Sequence, residues 1–297
     1  FKQKTAYEIR PRDWSSDVCS SDLIDQRTRP LDGAIATTAD GAGVVAYVID
    51  SGVRADHADL GGRVRAGYAA FDDGQGTADC NGHGTSVAGT IGGSTLGVAP
   101  AVVLVPVRVI DCNGSGSLSD VLAAIDWVAA DHQAGVPAVA NLSLGTELSQ
   151  AFNDAVQVLI DDGITVVVSA GNSSTDACLD SPASMPDVIS VGATGTDDAR
   201  ASFSNYGTCV GIFAPGVDIL SAGIASTTAR SEASGTSNAA PHVTGAAAVI
   251  LSQSPLLAPV DVVARVVGAA SPDTRDLGPG SPPRMLFAGT DAGASPA

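Results

Sequence analysis

The sequence predicts an α/β fold with three layers, in which a central, mostly parallel sheet is flanked by helices. Short apolar runs rich in β-branched residues alternate with helical patterns, and this alternation is typical of βαβ units. The chain has 297 residues, of which 44% are hydrophobic and only 16% are charged. It can therefore bury a sizeable core, and its composition is not that of a disordered protein.

Five apolar runs predict buried strands, because the strands of a parallel sheet covered on both faces are apolar throughout. The first run, Val44–Ile49, ends at Asp50-Ser51-Gly52, as expected of a strand that leads into a turn. The other runs are Val102–Ile110, Val136–Leu142, Ile164–Ser169 and Val188–Val191.

Helical patterns fill the intervals between these runs. Leu118–Ala130 and Phe152–Ile160 are amphipathic, and Ser119-Asp120 can supply a cap near the start of the first. Ser237–Leu251 is Ala-rich and apolar nearly all round, which predicts a buried helix, and Val260–Val267 is a candidate final helix. In such folds, functional sites form at the carboxyl ends of the strands.

The two ends of the chain differ from the part between them. Residues 1–23 contain both lysines and lack the continuous apolar region of a signal peptide. We interpret them as translated sequencing-adapter sequence, a non-native segment, rather than as a native polar arm. We expect the folded domain to span residues 24–288, and residues 289–297 to begin a C-terminal linker or tail.

The charge of the chain excludes some function classes. The formal net charge is −17 at pH 7, with 32 acidic and 15 basic residues. The negative electrostatic field of such a chain repels the phosphates of nucleic acid, so we expect no nucleic-acid partner. No window approaches about 18 uninterrupted apolar residues, so we expect no membrane span.

Three separate segments carry residues that suit nucleophilic catalysis. Asp50 ends the first strand in VIDSG, His83 lies in NGHGTSVAGT, and Ser237 lies in SGTSNAAPHVTG at the start of an apolar helix. A serine hydroxyl is a weak nucleophile that needs an imidazole to accept its proton and a carboxylate to fix the imidazole tautomer. A helix N-terminus directs free N–H groups at a developing oxyanion, and Asn172, in SAGN, can add a side-chain donor.

These motifs, in the order Asp, His, Ser, resemble those of the subtilisin-like serine proteases (subtilases), and within them the secreted proteinase K-like group. The resemblance covers the chain from about Ile24 to Phe287 and implies a subtilisin-like fold. It implies a secreted serine endopeptidase with Asp50, His83 and Ser237 as the triad and Asn172 in the oxyanion hole. The chain order and the asparagine donor are those of subtilisin itself, where loss of the donor costs about 10²–10³ in rate, so these roles are inherited from the family. This chemistry requires no cofactor.

The resemblance also implies where the substrate binds. Ser143-Leu144-Gly145 and the loop 113–117, which includes Gly116, would pair as strands with an extended peptide. Ser169-Ala170-Gly171 would form the other wall of the pocket for the residue before the cut. Small residues there leave room for a large apolar side chain. Pairing through backbone groups does not distinguish the side chains of the peptide, so we expect broad specificity. The expected partners are protein or peptide substrates, and the expected state is a monomer.

Four cysteines remain when Cys19 is set aside with residues 1–23, and they allow three pairings. The alternatives are four free thiols in a cytosolic protein, or a zinc site, which is disfavoured because no CxxC pair exists. The resemblance implies disulfides Cys80–Cys112 and Cys178–Cys209, and disulfides indicate an oxidising compartment, hence secretion. Family members also carry an inhibitory propeptide, which we expect before Ile24 and which is missing from this sequence.

The sequence departs from the family at several positions. Asn238 stands where methionine usually follows the nucleophile, Ser86 stands where a second histidine is usual, and Thr146 replaces a glycine after Gly145. Asn238 and Ser86 support a competing hypothesis, a catalytically weak or inactive pseudoprotease that binds extended peptides, whereas Thr146 would narrow the cleft. A lipase or esterase would instead have a GxSxG elbow, whereas this chain has Ala239 two residues after its serine.

A structural calcium ion is a further implication of the resemblance. Related enzymes bind Ca²⁺ through carbonyls near Pro186 and Val188 and through one aspartate, whose position here is Gly211. Ca²⁺ prefers six to eight oxygens that include carboxylates. With that carboxylate lost, we expect the site to be weak or empty.

The three remaining histidines are interpreted as structural. We expect His57 to lie in a surface turn and His132 to be exposed near the end of a helix. His242 falls within the apolar helix after Ser237, so we expect a hydrogen-bonded core histidine rather than a second base.

Overall fold

The computed structural model describes residues 24–25, 36–272 and 274–289. The interpretations of residues 1–23 and of nearly the whole tail 289–297 lie outside the described residues. The strands are β1 Val45–Asp50, β2 Tyr68–Ala69, β3 Val103–Arg108, β4 Ala138–Leu142, β5 Thr146–Glu147, β6 Thr165–Ser169, β7 Asp180–Ser181, β8 Ile189–Thr194, β9 Ile212–Pro215, β10 Ile219–Ala222 and β11 Arg230–Ala233. The α-helices are α1 His83–Gly92, α2 Leu118–Asp131, α3 Gln150–Asp161, α4 Thr236–Gln253 and α5 Pro259–Ala269.

Within the described residues, seven strands form one parallel sheet in the order β2-β3-β1-β4-β6-β8-β9. The pairs β10–β11 and β5–β7 form small antiparallel ribbons beside it. The predicted α/β fold with a central, mostly parallel sheet is confirmed, and each of the five apolar runs overlaps a strand of this sheet, although β1 and β8 continue past the ends of their runs. The sequence does not predict the strands of two to four residues, because such segments are too short to carry a periodicity.

Alternate side chains of β1 face opposite layers of the fold. Ala46 and Val48 belong to an apolar cluster with α1, α4 and α5, whereas Tyr47 and Ile49 belong to a second cluster with α2 and α3. This alternation follows from the period of two in a strand. Both faces of the sheet are therefore covered, which is why most residues of its strands are apolar.

The ends of the described chain lie together. Ile24 is fully buried, and its carbonyl oxygen accepts a hydrogen bond from the Ala288 amide at 2.7 Å. Among the described helices, none has both the length and the apolar character needed to cross a bilayer.

The carboxyl edge of the sheet positions the candidate site. β1 ends at Asp50, β4 ends just before Ser143, and β6 ends at Ser169. Two helices that pack against each other begin at the same edge, α1 at His83 and α4 one residue before Ser237. Segments far apart in the sequence therefore meet where the parallel strands end.

Candidate active site

Asp50 and His83 form a hydrogen-bonded pair. The Nδ1 atom of His83 lies 2.7 Å from Oδ1 and 2.9 Å from Oδ2 of Asp50. Asp50 is fully buried, and its Oδ1 also accepts the amide of Ser51 at 2.7 Å. The carboxylate holds the imidazole proton on Nδ1 and leaves Nε2 as the basic nitrogen, and Nε2 has no hydrogen-bond partner within the described part of the chain.

The loop before His83 is anchored by Asp79, which sequence reasoning missed although it lies only four residues before the histidine. Its carboxylate accepts hydrogen bonds at 2.6–2.9 Å from both sides of the loop, from Ser51, Asn81, Gly82 and Thr85. Position 84 must be glycine, because a Cβ there would overlap the Gly52 carbonyl oxygen. The first turn of α1 is thereby fixed against the end of β1.

The electrostatic surroundings of His83 favour its protonated form. Burial would lower the pKa of the imidazole, but the charge and hydrogen bond of Asp50, with the charge of Asp79, outweigh burial and raise the pKa. The neutral form needed for a general base is therefore populated only at higher pH than for an ordinary histidine.

Ser237 is the second residue of α4, so its amide lies at a helix N-terminus. The amides of Asn238 and Ala239 donate to the Gly235 carbonyl, whereas no described residue accepts from the Ser237 amide. A Cβ built on Gly235 would lie 2.9 Å from the Ser237 Oγ and 3.5 Å from the Asn172 Nδ2. The nucleophile candidate and the amide of Asn172 therefore border one small space that glycine leaves open.

The orientation of Asn172 is set by Thr236, another residue that the motif analysis did not single out. The amide and the hydroxyl of Thr236 donate to the Asn172 Oδ1 at 2.8 and 2.9 Å. Because both donors occupy Oδ1, the Nδ2 group of Asn172 is the part of the side chain directed at the space beside Gly235. The arrangement offers an N–H donor to a negatively charged oxygen.

A cleft of about 680 Å³ brings the predicted residues together. His83, Ser237 and Asn172 line the cleft, whereas Asp50 is buried behind His83. The predicted substrate-binding residues line it as well, namely Gly116, Ser143, Leu144, Gly145, Ser169, Ala170 and Gly171.

Ser143 also contacts the backbone of the nucleophile candidate, a contact that the sequence did not predict. Its hydroxyl donates to the Ser237 carbonyl at 2.8 Å and accepts from the Asn141 Nδ2 at 2.9 Å. The hydroxyl of Thr244 donates to the Asn141 Oδ1 at 2.8 Å. Asn141 and Thr244 are fully buried, so this network ties β4 to α4 directly behind Ser237.

The bonded cysteines are Cys80–Cys112 and Cys178–Cys209, which is the pairing that the resemblance implies. The first bond joins the loop before His83 to the loop after β3. The fully buried Arg108 lies beside it, with Nη2 3.3 Å from the Cys80 sulfur and 2.7 Å from the carboxylate of Asp73. The Cys80–Cys112 bond and the neighbouring ion pair of Arg108 and Asp73 together hold the loop that leads to His83.

The three departures from the family pattern are accommodated around the cleft. Asn238 is buried and lines the cleft, and its Nδ2 would lie 3.4 Å from a Cβ on Gly235. Ser86 is buried in α1 and also lines the cleft, and Thr146 pairs with Ser181 in the small ribbon. The hydrogen-bonded pair of Asp50 and His83 is intact beside them.

The other histidines correct part of the sequence interpretation. His242 is a buried, hydrogen-bonded core residue as predicted, and burial lowers its pKa to about 4 despite its backbone hydrogen bonds. The prediction that His132 is exposed is wrong, and His57, which was expected in a surface turn, follows a turn but has a buried side chain. His57 is 3% exposed and bonds to the Ala229 carbonyl, and the His132 side chain is 4% exposed and bonds to Asp162. Both partners come from distant segments, which local sequence does not reveal.

The candidate calcium position lacks the carboxylate that related enzymes use. Gly211 lies directly before β9, and its amide bonds to Ser190 in β8, while Pro186 and Val188 lie in the segment that leads into β8. Position 211 supplies no carboxylate, and the described residues contain no cluster of three His, Cys, Asp or Glu side chains suited to a metal ion. The carboxylate ligand of the family is thus missing, and the weak or empty site stays a prediction.

The comparisons with known proteins agree with this geometry. The model of the subtilase family matches residues 41–289. An extracellular serine proteinase of Thermus sp. (strain Rt41A) is 52% identical over 267 residues, which cover 90% of this chain and 65% of that protein. The alkaline serine exoprotease A of Vibrio alginolyticus is 49% identical over 275 residues, covering 91% of this chain and 50% of that protein. The chain thus spans one half to two thirds of the length of these relatives.

A solved structure shows the same fold. The crystal structure of a cold adapted subtilisin-like serine proteinase superposes with a TM-score of 0.88 at 45% identity, covering 93% of this chain and 100% of that one. The family model, the sequence identities and the fold all point the same way, and this chain belongs to the subtilase family.

Proposed function

We propose that the chain is a secreted serine endopeptidase that hydrolyses peptide bonds through Asp50, His83 and Ser237, with Asn172 in the oxyanion hole. One observation carries the proposal. The Nδ1 atom of His83 lies 2.7 Å from Asp50, so Nε2 is the basic nitrogen. Nε2 has no hydrogen-bond partner among the described residues, and His83 lines the same cleft as Ser237. An imidazole held in this tautomer is suited to take a proton from a serine hydroxyl.

The proposed reaction uses protein groups alone. The Ser237 Oγ attacks the peptide carbonyl carbon, its proton passes to the Nε2 of His83, and the carbonyl electron pair moves onto the oxygen. The Ser237 amide and the Asn172 Nδ2 donate to that oxyanion. The imidazolium, stabilised by Asp50, then protonates the leaving amine as the C–N bond breaks. Water activated by the same imidazole hydrolyses the acyl-enzyme, and the chemistry of the family needs no cofactor.

The substrate would be an extended peptide. Its backbone would pair with Ser143–Gly145 and with the loop around Gly116, and Ser169–Gly171 would wall the pocket for the residue before the cut. The small wall residues support broad specificity with room for large side chains, and an apolar preference remains a prediction. We infer a catalytic domain of residues 24–288 that acts as a monomer after folding with a propeptide.

Secretion is supported by two independent observations. The two bonded cysteine pairs are typical of proteins in an oxidising compartment. The printed names of the relatives include an extracellular proteinase and an exoprotease. The competing hypothesis of a peptide-binding pseudoprotease is weakened by the hydrogen-bonded pair of Asp50 and His83, because peptide binding alone does not need it.

The proposal is tested by covalent labelling. The chain would be folded with a related propeptide supplied in trans and treated with a fluorophosphonate. The mass of the intact protein would then be measured by mass spectrometry. We expect one adduct, formed as the serine oxygen displaces fluoride from phosphorus, to be absent in Ser237→Ala and present in Ser173→Ala. Ser173 is the matched control because it lines the same cleft. A folded protein that takes no label would instead support the peptide-binding hypothesis.

A further inference from the structure

Asp180 lies at the end of the pocket that receives the residue before the cut. Its Oδ2 would be 3.1 Å from a Cβ on Gly171, the wall residue that directly precedes Asn172. Asp180 belongs to β7, and β7 pairs with β5, the strand that follows the opposite wall at Gly145. The carboxylate therefore closes the gap between the two walls, and it is the only Asp or Glu among the described residues that line the cleft.

Asn205 holds this carboxylate in place. The Asn205 side chain is fully buried, and its Nδ2 donates to the Asp180 Oδ2 at 2.8 Å and to the Ala170 carbonyl at 2.9 Å. The structure records no hydrogen bond from a described residue to the second oxygen, Oδ1. One carboxylate oxygen is thus fixed against the wall, and the other is left to accept from a group that enters the cleft.

The charge of Asp180 is only partly compensated by the protein. Burial raises the pKa of its carboxyl group, the hydrogen bond from Asn205 opposes the rise, and the charge of Glu147 adds to it. Glu147 lies directly opposite Asp180 in the β5–β7 ribbon. Arg230, the one arginine that lines the cleft among the described residues, belongs to β11, outside the two walls. A cation in the pocket would therefore relieve an unfavourable negative charge.

The rest of the pocket suits the stem of a long side chain. Leu144, Ala170 and Ala183 are buried residues that line the same cleft as Asp180. Lys and Arg bury an aliphatic stem along apolar surface while their charged head reaches a polar partner. An apolar wall that ends in a carboxylate matches this distribution of charge along the side chain.

We propose that Asp180 is a specificity-determining residue, which makes the pocket favour an Arg or Lys side chain before the cut over a neutral side chain of the same shape. This inference rests on the proposed function, and it refines the expectation of an apolar preference drawn from the small wall residues. A charge-assisted hydrogen bond to Asp180 Oδ1 would discriminate by about 10- to 100-fold in kcat/KM.

The test compares two peptide substrates that differ only in having Arg or citrulline before the cut, because citrulline keeps the shape and removes the charge. We expect the full chain to cleave the Arg peptide with about 10- to 100-fold higher kcat/KM, and Asp180→Asn to bring this ratio close to 1. Glu147→Gln is the matched control, since it removes a neighbouring charge that does not line the cleft, and we expect it to change the ratio by less than about threefold.

The outcomes separate this inference from the proposed function. A wild-type ratio of 1 or less would overturn the inference without any variant. An unchanged ratio in Asp180→Asn would also overturn it. So would an equal drop of the ratio in Glu147→Gln, because that result would indicate a general electrostatic effect rather than a contact with Asp180. Cleavage of neither peptide together with absent fluorophosphonate labelling would instead refute the proposed function.

Discussion

Gly235 offers a direct test of the space between the nucleophile and the oxyanion donors. In the Gly235→Ala variant, the new methyl carbon would lie 2.9 Å from the Ser237 Oγ, 3.4 Å from the Asn238 Nδ2 and 3.5 Å from the Asn172 Nδ2. The φ angle of Gly235 is 164°, an extended conformation that any residue adopts, so the substitution acts through contacts and not through backbone strain.

The expected magnitude follows from these distances. An oxyanion must lie about 2.7–3.1 Å from its donors, so a methyl group in this space competes with the oxygen itself. The 2.9 Å contact also forces the Ser237 Oγ away from its present position. Loss of one donor costs about 10²–10³ in rate, and displacement of a reacting group by about 1 Å costs about 10². We therefore expect kcat/KM to fall by at least about 100-fold, with a free energy of unfolding within about 1 kcal/mol of wild type.

The assay combines peptide hydrolysis, the rate of fluorophosphonate labelling and thermal unfolding. Gly268→Ala is the control, because it places the same methyl group on exposed α5, where no described atom lies within 4 Å. We expect that control to keep full activity and to gain up to about 1 kcal/mol, since alanine is the better helix former. Activity of Gly235→Ala within threefold of wild type would refute the reasoning, as would an equal loss in Gly268→Ala.

Two further predictions concern pH dependence and stability. Because the charges of Asp50 and Asp79 raise the pKa of His83 despite its burial, the acidic limb of kcat/KM should lie above the ordinary histidine range. Asp79→Asn removes a charge that raises this pKa, so it should move the acidic limb to lower pH. Asp120→Asn, at the start of α2, should leave the limb where it is. An acidic limb of Asp79→Asn that stays or moves to higher pH contradicts this prediction. Cys178→Ser with Cys209→Ser opens a bond that spans 31 residues and should lower the free energy of unfolding by about 3–4 kcal/mol. Urea unfolding in the Ser237→Ala background, which prevents self-digestion, measures this loss, and unchanged stability would count against it.

Much of the candidate site could be predicted because its candidate catalytic residues lie in short contiguous motifs. The motifs around Asp50, His83 and Ser237 each combine a reactive side chain with the turn or helix start that presents it. The apolar runs predict the main strands for a similar reason, since a strand buried on both faces consists mostly of apolar residues. The resemblance also implies that one wall of the cleft, Ser169–Gly171, consists of small residues.

The supporting residues could not be predicted, because their roles depend on partners from other segments. Nothing near Asn141 in the sequence indicates that its amide reaches Ser143 and, through it, the carbonyl of Ser237. His132 was expected to be exposed and His57 to lie in a surface turn, yet both side chains are buried and bond to groups from distant segments. Thr236 looks like an ordinary helix-start residue until the fold brings Asn172 to it.

The sequence by itself determined the family, the α/β layering and the candidate catalytic residues, since each depends on residue type and local order. Only the tertiary structure decided what surrounds those residues: the carboxylate of Asp79 beneath His83, the buried amide of Asn205 and the acidic end of the pocket at Asp180. The physical reason is that hydrogen bonds, burial and local charge act over a few ångströms in space. In a parallel sheet, the strand ends that share such a space are separated by whole helices along the chain.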